Sequence, residues 1–216
     1  MNPYQVTRDF EQALQEYTGA PFAIALNSCT AALMLACEWY LLKRGGECNA
    51  RNHPSEYDYT RHGFVIPKHT YVSVPQAIIR AGGYVIFDDS EWHGSYQIGP
   101  LTGIWDCARR FTSWMYIAGQ FQCVSFAASK ILAAEQGGAI LHDNAEADAW
   151  FRRMRFDART EGIDSLTDPI KEIGHHCIMT PSVAAGLLVR LHHLPRHNAD
   201  MPDYPYPDLS QMPVFR

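Results

Sequence analysis

Only four lysines occur in the 216 residues, at 43, 68, 130 and 171, and Lys130 sits among apolar neighbours in VSFAASKILAAEQGGAIL. An amine held in a desolvated pocket has a lowered pKa and can condense with an aldehyde or ketone. Taken alone, a lysine beside a strand end reads first as structural or solvated. Asp106 raises its interest, because it closes an apolar run in GIWDCARRF, where a carboxylate can keep a ring nitrogen protonated. Pyridoxal phosphate needs that pair, a lysine at its aldehyde and an acid at its pyridinium nitrogen. Its phosphate needs backbone N–H groups and hydroxyls, as a helix N-terminus supplies. NSCTAAL puts Ser28 and Thr30 at the start of such a helix, although a simple N-cap would use the same residues. Tyr71 in PKHTYVSV can offer an aromatic face to a flat ring, or it can simply pack.

Positioning these groups requires an alternation of strands and helices. Short apolar runs at 22–26, 64–66, 84–87, 103–105, 121–126 and 139–142 read as strands. Residues 9–17, 30–42, 72–80, 145–155 and 181–193 read as helices, with Gly19 and Pro21 stopping the first. Strands alternating with helices predict an α/β fold of three layers, α/β/α, around a mostly parallel sheet. Ligands then sit beyond the carboxyl ends of the strands, where Ser28, Thr30, Thr70, Tyr71, Asp106, Ser125 and Lys130 fall. The polar stretch from Gly45 to His62 reads as an exposed connection. Domain organisation is expected as one unit over 1–194 and a tail over 195–216, whose five prolines forbid a helix and leave an extended arm.

The order of the motifs resembles the DegT/DnrJ/EryC1/StrS sugar aminotransferases, pyridoxal-phosphate enzymes of fold type I. FEQALQEYTG stands where they read FE..LA.Y.G, SCTAAL where they read SGTAAL, and PKHTY where they have P..T and an aromatic. AGGYVIFDD, DCAR and SFAASKILAAEQGG follow in the family's order and GHHCIMTPSVAAGLL comes last, so the likeness runs over about residues 8–194. This resemblance implies that Lys130 is the catalytic lysine that holds the cofactor, and that Asp106 is the partner of the ring nitrogen. It implies Ser28, Thr30 and Ser125 as phosphate ligands, with the amide after Ser28, that of Cys29, contributing directly, and Tyr71 as the stacking aromatic. Arg109 falls where a neutral cofactor contact is usual, Cys29 where the family has glycine, and Gln136 where it has glutamate. His176 falls at the asparagine that reaches a neighbouring subunit's cofactor, so a homodimer with shared sites is implied. Set beside the family, the segment between Asp89 and Trp105 is expected to lack at least one strand–helix unit, and the small C-terminal domain is expected to be largely missing.

Composition narrows the alternatives. With 47% hydrophobic and 19% charged residues the chain is globular, and a formal charge of −5 argues against nucleic acid and anionic membrane as partners. No apolar run is long enough to span a bilayer and the first residues form no secretory signal, so a cytoplasmic protein is expected. The cysteines at 29, 37, 48, 107, 123 and 177 have neither zinc spacing nor a disulfide pattern and read as reduced core thiols. The adjacent histidines His175-His176 and His192-His193 lack ligand spacing, so no metal is expected. Arg152, Arg153 and Arg155 read as a solvated helix face or a substrate-anion contact. The resemblance implies transfer of an amino group from an amino-acid donor, glutamate, to a keto acceptor, a nucleotide-linked keto-sugar. The alternatives are a cofactor-binding or scaffold protein without turnover, and an elimination or dehydration on the same cofactor.

Overall fold

The structure is a computed structural model that describes residues 4–45 and 63–215. Most of the stretch read as an exposed connection, 46–62, lies outside the described residues. The central sheet has five strands in the order β1 (Phe22–Leu26), β7 (Gly138–His142), β6 (Phe121–Ser125), β5 (Ile104–Asp106) and β4 (Tyr96–Gln97). A separate parallel pair joins β2 (Gly63–Pro67) and β3 (Tyr84–Asp88).

Side chains alternate across the pleat, and this sets the layers. Ile24, Leu26, Cys123 and Ile140 point to one core, against α2 (Cys29–Gly45), α3 (Ser73–Arg80) and α4 (Ala145–Met154). Ala23, Ala25, Val124, Ala139 and Leu141 point to the other, against α1 (Gln5–Thr18) and α5 (Pro181–His193). The three-layer α/β/α arrangement is therefore present. Local signals place the helix ends. Gly19 closes α1 at φ +79°, its N–H donating to the Gln15 carbonyl. Asn144 caps α4 by accepting from the Ala147 N–H at 3.0 Å, with acids in the first turn and Arg152 and Arg153 in the last. Pro181 opens α5, where its missing N–H loses no bond.

The expectation of a mostly parallel sheet needs correction. Only β5–β6 and β2–β3 run parallel, whereas β1–β7, β6–β7 and β4–β5 are antiparallel. A parallel connection takes about a dozen residues or more and usually a helix. The link between β4 and β5, residues 98–103, is far shorter, and the link between β6 and β7, residues 126–137, contains no helix. Both pairs therefore fold back on themselves. Because β7 lies antiparallel to β1 and to β6, strands β1, β6 and β5 still point the same way. Their carboxyl ends meet at one edge of the sheet, where the candidate residues were expected.

His142 illustrates how tightly the sheet is covered. It is fully buried, stacked on Phe22 at 5.5 Å and Phe121 at 5.7 Å, with Phe151 edge-on at 5.4 Å. Burial pushes its imidazole down to about 4, more than the nearby Asp148 charge can restore. The unfolded chain takes up this proton near pH 6.5 and the folded chain resists it, so stability is full above that value and falls as the pH drops toward 4. The loss is about 3 kcal/mol over that window. Thermal melts from pH 7.5 to 4.5 should show it, and His142→Phe should flatten the decline.

Candidate active site

A cavity of about 700 Å³ opens at the shared strand ends. Ser28, Cys29, Thr30, Tyr71, Asp106, Arg109, Ser125 and Lys130 all line it. His176 does not; it is exposed and its Nδ1 lies 2.9 Å from Asp157 Oδ2. Residues scattered over a hundred positions of sequence thus meet in one space, and each arrives by a short structural argument.

Ser28 follows β1 and caps α2, its Oγ accepting from the Ala31 N–H at 3.1 Å. Thr30 Oγ1 bonds Ser73 Oγ at 2.9 Å, tying the first turn of α2 to the start of α3. The Cys29 side chain is buried in the core and its Sγ lies 3.6 Å from the Cys123 carbonyl, so the thiol turns toward β6. Gly138 lets β7 pass behind this turn: a Cβ there would stand 2.4 Å from the Cys29 nitrogen. No side chain other than hydrogen fits, and the turn is held by backbone packing.

Asp106 ends β5 and is 5% exposed. Its Oδ1 accepts from the Ala108 N–H at 2.8 Å. Burial pushes its carboxyl above the usual range, against the Ala108 amide, the Lys130 charge and the Tyr96 phenol, which hold it down. Lys130 lies in the loop after β6; its backbone N–H donates to the Ala127 carbonyl at 2.9 Å, and its side chain makes no hydrogen bond or ion pair among the described residues. Burial lowers its ammonium pKa, with the Asp106 charge opposing. The cavity thus holds an amine that is partly desolvated and unpartnered, and a carboxylate that burial leaves short of positive charge. These are the two groups that a protonated pyridine bearing an aldehyde would satisfy, with hydroxyls of Ser28, Thr30 and Ser125 and an α-helix start for its phosphate. The residues present fit pyridoxal phosphate.

The tail closes one side of this space. Tyr204, Tyr206 and Pro207 are part of the cavity wall. Tyr206 stacks on Trp92 at 6.1 Å and 16° and meets Tyr71 edge-on at 6.3 Å. The tail is anchored to its own chain throughout: Arg110 grips Asp200 with Nε and Nη2 at 2.9 and 2.6 Å, and the Met201 N–H donates to the Arg109 carbonyl. Gly94 admits this contact, since a Cβ there would collide with the Asp200 carboxylate. The Arg109 guanidinium donates to the Pro202 carbonyl and, at 3.4 Å, to the Tyr206 hydroxyl. Arg109 is therefore engaged by the tail. Short 3₁₀ turns at Leu209–Gln211 and Pro213–Phe215 end it, with Leu209 fully buried.

Thr70, Trp92 and Tyr206 also line the cavity, and Tyr96 lies behind it, bonded to Thr70; the sequence offers Thr70 only as a polar strand-end residue and gives the other three no role. Trp92 and Tyr96 lie in the aromatic-rich EWHGSYQ, inside the segment that the sequence marked as too short. Other candidates resolve differently. Arg152 and Arg155 are neither a solvated face nor an anion site: Arg155, 2% exposed, pairs with Glu11 and Glu161, and Arg152 with Glu11 and Asp148. His175 pairs with Glu38 at 2.9 Å. Among the described residues no group of acids, histidines and cysteines could hold a metal. The five described cysteines are buried free thiols, while Cys48 lies outside the described residues. No helix among the described residues is long and apolar enough to cross a membrane.

Comparison with protein families matches residues 1–101 and 116–202 to the DegT/DnrJ/EryC1/StrS aminotransferase family. Among proteins of curated function none matches. Solved structures with the same fold include PseC of Helicobacter pylori, an aminotransferase involved in the biosynthesis of pseudoaminic acid, at 16% identity and TM-score 0.66, covering 88% of this chain and 58% of that one. AtS13 of Actinomadura melliaura matches at 20% identity and TM-score 0.68, covering 88% and 60%. The sugar aminotransferase CalS13 of Micromonospora echinospora matches at 14% identity and TM-score 0.66, covering 87% and 61%. The chain thus spans about three fifths of the length of these structures.

Proposed function

The chain belongs to the DegT/DnrJ/EryC1/StrS aminotransferase family, whose members use pyridoxal phosphate, and we propose that it binds this cofactor and transfers an amino group. Lys130 is the amine that holds the cofactor aldehyde. Asp106 is the carboxylate facing the ring nitrogen, Ser28, Thr30 and Ser125 hold the phosphate with the Cys29 amide, and Tyr71 lies against the ring. When bound, pyridoxal phosphate supplies the electron sink that makes an amino acid's Cα–H acidic. The protein's own part is to keep Asp106 ionised beneath that sink, to exclude water with the aromatic wall, and to move a proton with Lys130 Nζ. Burial lowers the Lys130 ammonium pKa from its ordinary value, and an amine that gives up its proton more readily is better suited to serve as base and then as acid.

The observation that carries this reading is the unpartnered Lys130 amine sharing one cavity with the buried Asp106 carboxylate. The donor is an amino acid, glutamate by family likeness, and the acceptor a nucleotide-linked keto-sugar. The same reading expects a homodimer, with the exposed His176 turned to the second copy. Its test is the donor half-reaction. Purified protein loaded with pyridoxal phosphate should lose its visible absorption on addition of L-glutamate, release 2-oxoglutarate, and regain the band with a keto acceptor. A band that forms but never bleaches with any amino acid would replace transfer with binding alone. Loss of water or of a leaving group from the substrate, without net amino transfer, would replace it with elimination.

A further inference from the structure

Tyr96 is a buried phenol outside every motif that carries the family resemblance. It lies on β4, the two-residue strand that stands in the shortened segment, and pairs directly opposite Asp106 across the antiparallel β4–β5 ladder. Directly paired residues of an antiparallel ladder present their side chains on the same face, about 5 Å apart at Cβ. Both are buried, Tyr96 at 6% and Asp106 at 5% exposure. The Tyr96 hydroxyl lies 2.6 Å from Thr70 Oγ1, and Thr70 is 1% exposed. Trp92 packs against the ring at 4.8 Å. A buried hydroxyl needs its partners, and a line of Thr70, Tyr96 and Asp106 satisfies all three if the proton of each hydroxyl points toward the carboxylate.

We propose that Tyr96 is a positioning residue for Asp106: its phenol, oriented by Thr70, donates toward the carboxylate and holds it ionised and aimed into the cavity. The proposal rests on the reading of this cavity as a pyridoxal-phosphate site, where Asp106 faces the ring nitrogen. In a mixed sheet whose β4–β5 pair is a hairpin, the wall behind Asp106 comes from this hairpin and not from a crossover strand. The other groups that act on the Asp106 charge are Lys130 from the loop after β6, Cys29 from α2, Cys123 from β6 and its neighbour Cys107, of which only Lys130 is cationic. Burial and the Asp106 charge together push the Tyr96 phenol far up, so it keeps its proton and can only donate to the acid. Among the described residues the Ala108 amide, at 2.8 Å from Oδ1, is the other donor to Asp106.

The test reads Asp106 in the protein without cofactor and then with it. Tyr96→Phe keeps the ring and its packing on Trp92 and removes only the hydroxyl. Infrared difference titration, with Asp106→Asn to assign the signal, should show the Asp106 carboxyl titrating about one pH unit higher in Tyr96→Phe. Thr70→Val, which leaves the phenol in place but unoriented, should move it in the same direction by less, and serves alone if the first variant does not fold. With cofactor bound, ¹⁵N-labelled pyridoxal phosphate should show a ring nitrogen that loses its proton at lower pH in Tyr96→Phe, and cofactor affinity should fall several-fold. An Asp106 titration unchanged in the folded variants would overturn the proposal even where the cofactor binds. A shifted titration in a protein that binds no pyridoxal phosphate would keep the Tyr96–Asp106 coupling and remove the cofactor reading instead.

Discussion

Replacing Lys130 with alanine should abolish the donor half-reaction while leaving the fold intact. Loss of a positioned proton-transfer group alone removes about 10²–10⁴-fold in rate, and loss of the amine that holds the aldehyde removes more. The rate should fall to that of pyridoxal phosphate free in solution. The Lys130 side chain makes no hydrogen bond or ion pair among the described residues, so the unfolding free energy should change by less than about 1 kcal/mol. The pairing of outcomes matters: stopped-flow spectra with L-glutamate should show no bleaching, while the thermal melt stays near that of the parent protein. A variant that keeps the bleaching rate would move the chemistry to another group, and one that unfolds would make Lys130 a structural residue.

The largest effect on stability should come from Glu11. This carboxylate on α1 is 2% exposed and receives Arg155, itself 2% exposed, Arg152 at 2.8 Å and the Ala25 N–H of β1 at 2.9 Å. Arg155 also donates to the Ala25 carbonyl and to Glu161. The cluster bolts α1 and the end of α4 to the first strand, which carries Ser28 at its tip. Glu11→Ala leaves a buried guanidinium without its main counter-charge and a strand N–H without an acceptor. Removing one partner of a buried pair is destabilising by about 3–5 kcal/mol. For a chain of this length that lowers the melting temperature by roughly 10 °C. Burial pushes the Glu11 carboxyl up, but the charges of Arg155 and Arg152 outweigh it and hold its pKa below the ordinary value. Its contribution is therefore complete above the pKa of the unfolded carboxyl and is lost as the pH falls through the lower folded value. Urea titrations of parent and variant at pH 7 measure the difference, and a loss under 1 kcal/mol would mean that solvent reaches the cluster.

The elements that line the cavity are legible in the sequence because each has a local signature. Ser28 announces a helix start, Asp106 and Ser125 end apolar runs, and Lys130 precedes a glycine pair. Their meeting was also legible, since it needs only that β1, β5 and β6 point one way, and they do. The direction of the remaining strands was not. Alternation of element types says nothing about hairpins, and the link lengths after β4 and β6 were the signal that could have revealed them. Glu11 and Arg155 are 144 residues apart, and no local pattern distinguishes a buried ion cluster from a solvated helix face. The tail reads as extended from its prolines, but its docking depends on Arg109, Arg110 and Gly94, whose partners at 200–206 are invisible to any local rule. Tyr96 escaped for the same reason: its role depends on a register, opposite Asp106, that a two-residue strand cannot advertise.

One measurement bears most directly on the central claim, that a single amine in this cavity takes up the cofactor aldehyde. Protein incubated with pyridoxal phosphate is reduced with borohydride, digested and mapped by mass spectrometry. One pyridoxyl-phosphate group per chain is expected, on the peptide that contains Lys130. Label spread over Lys43, Lys68 and Lys171, or none retained, would contradict it.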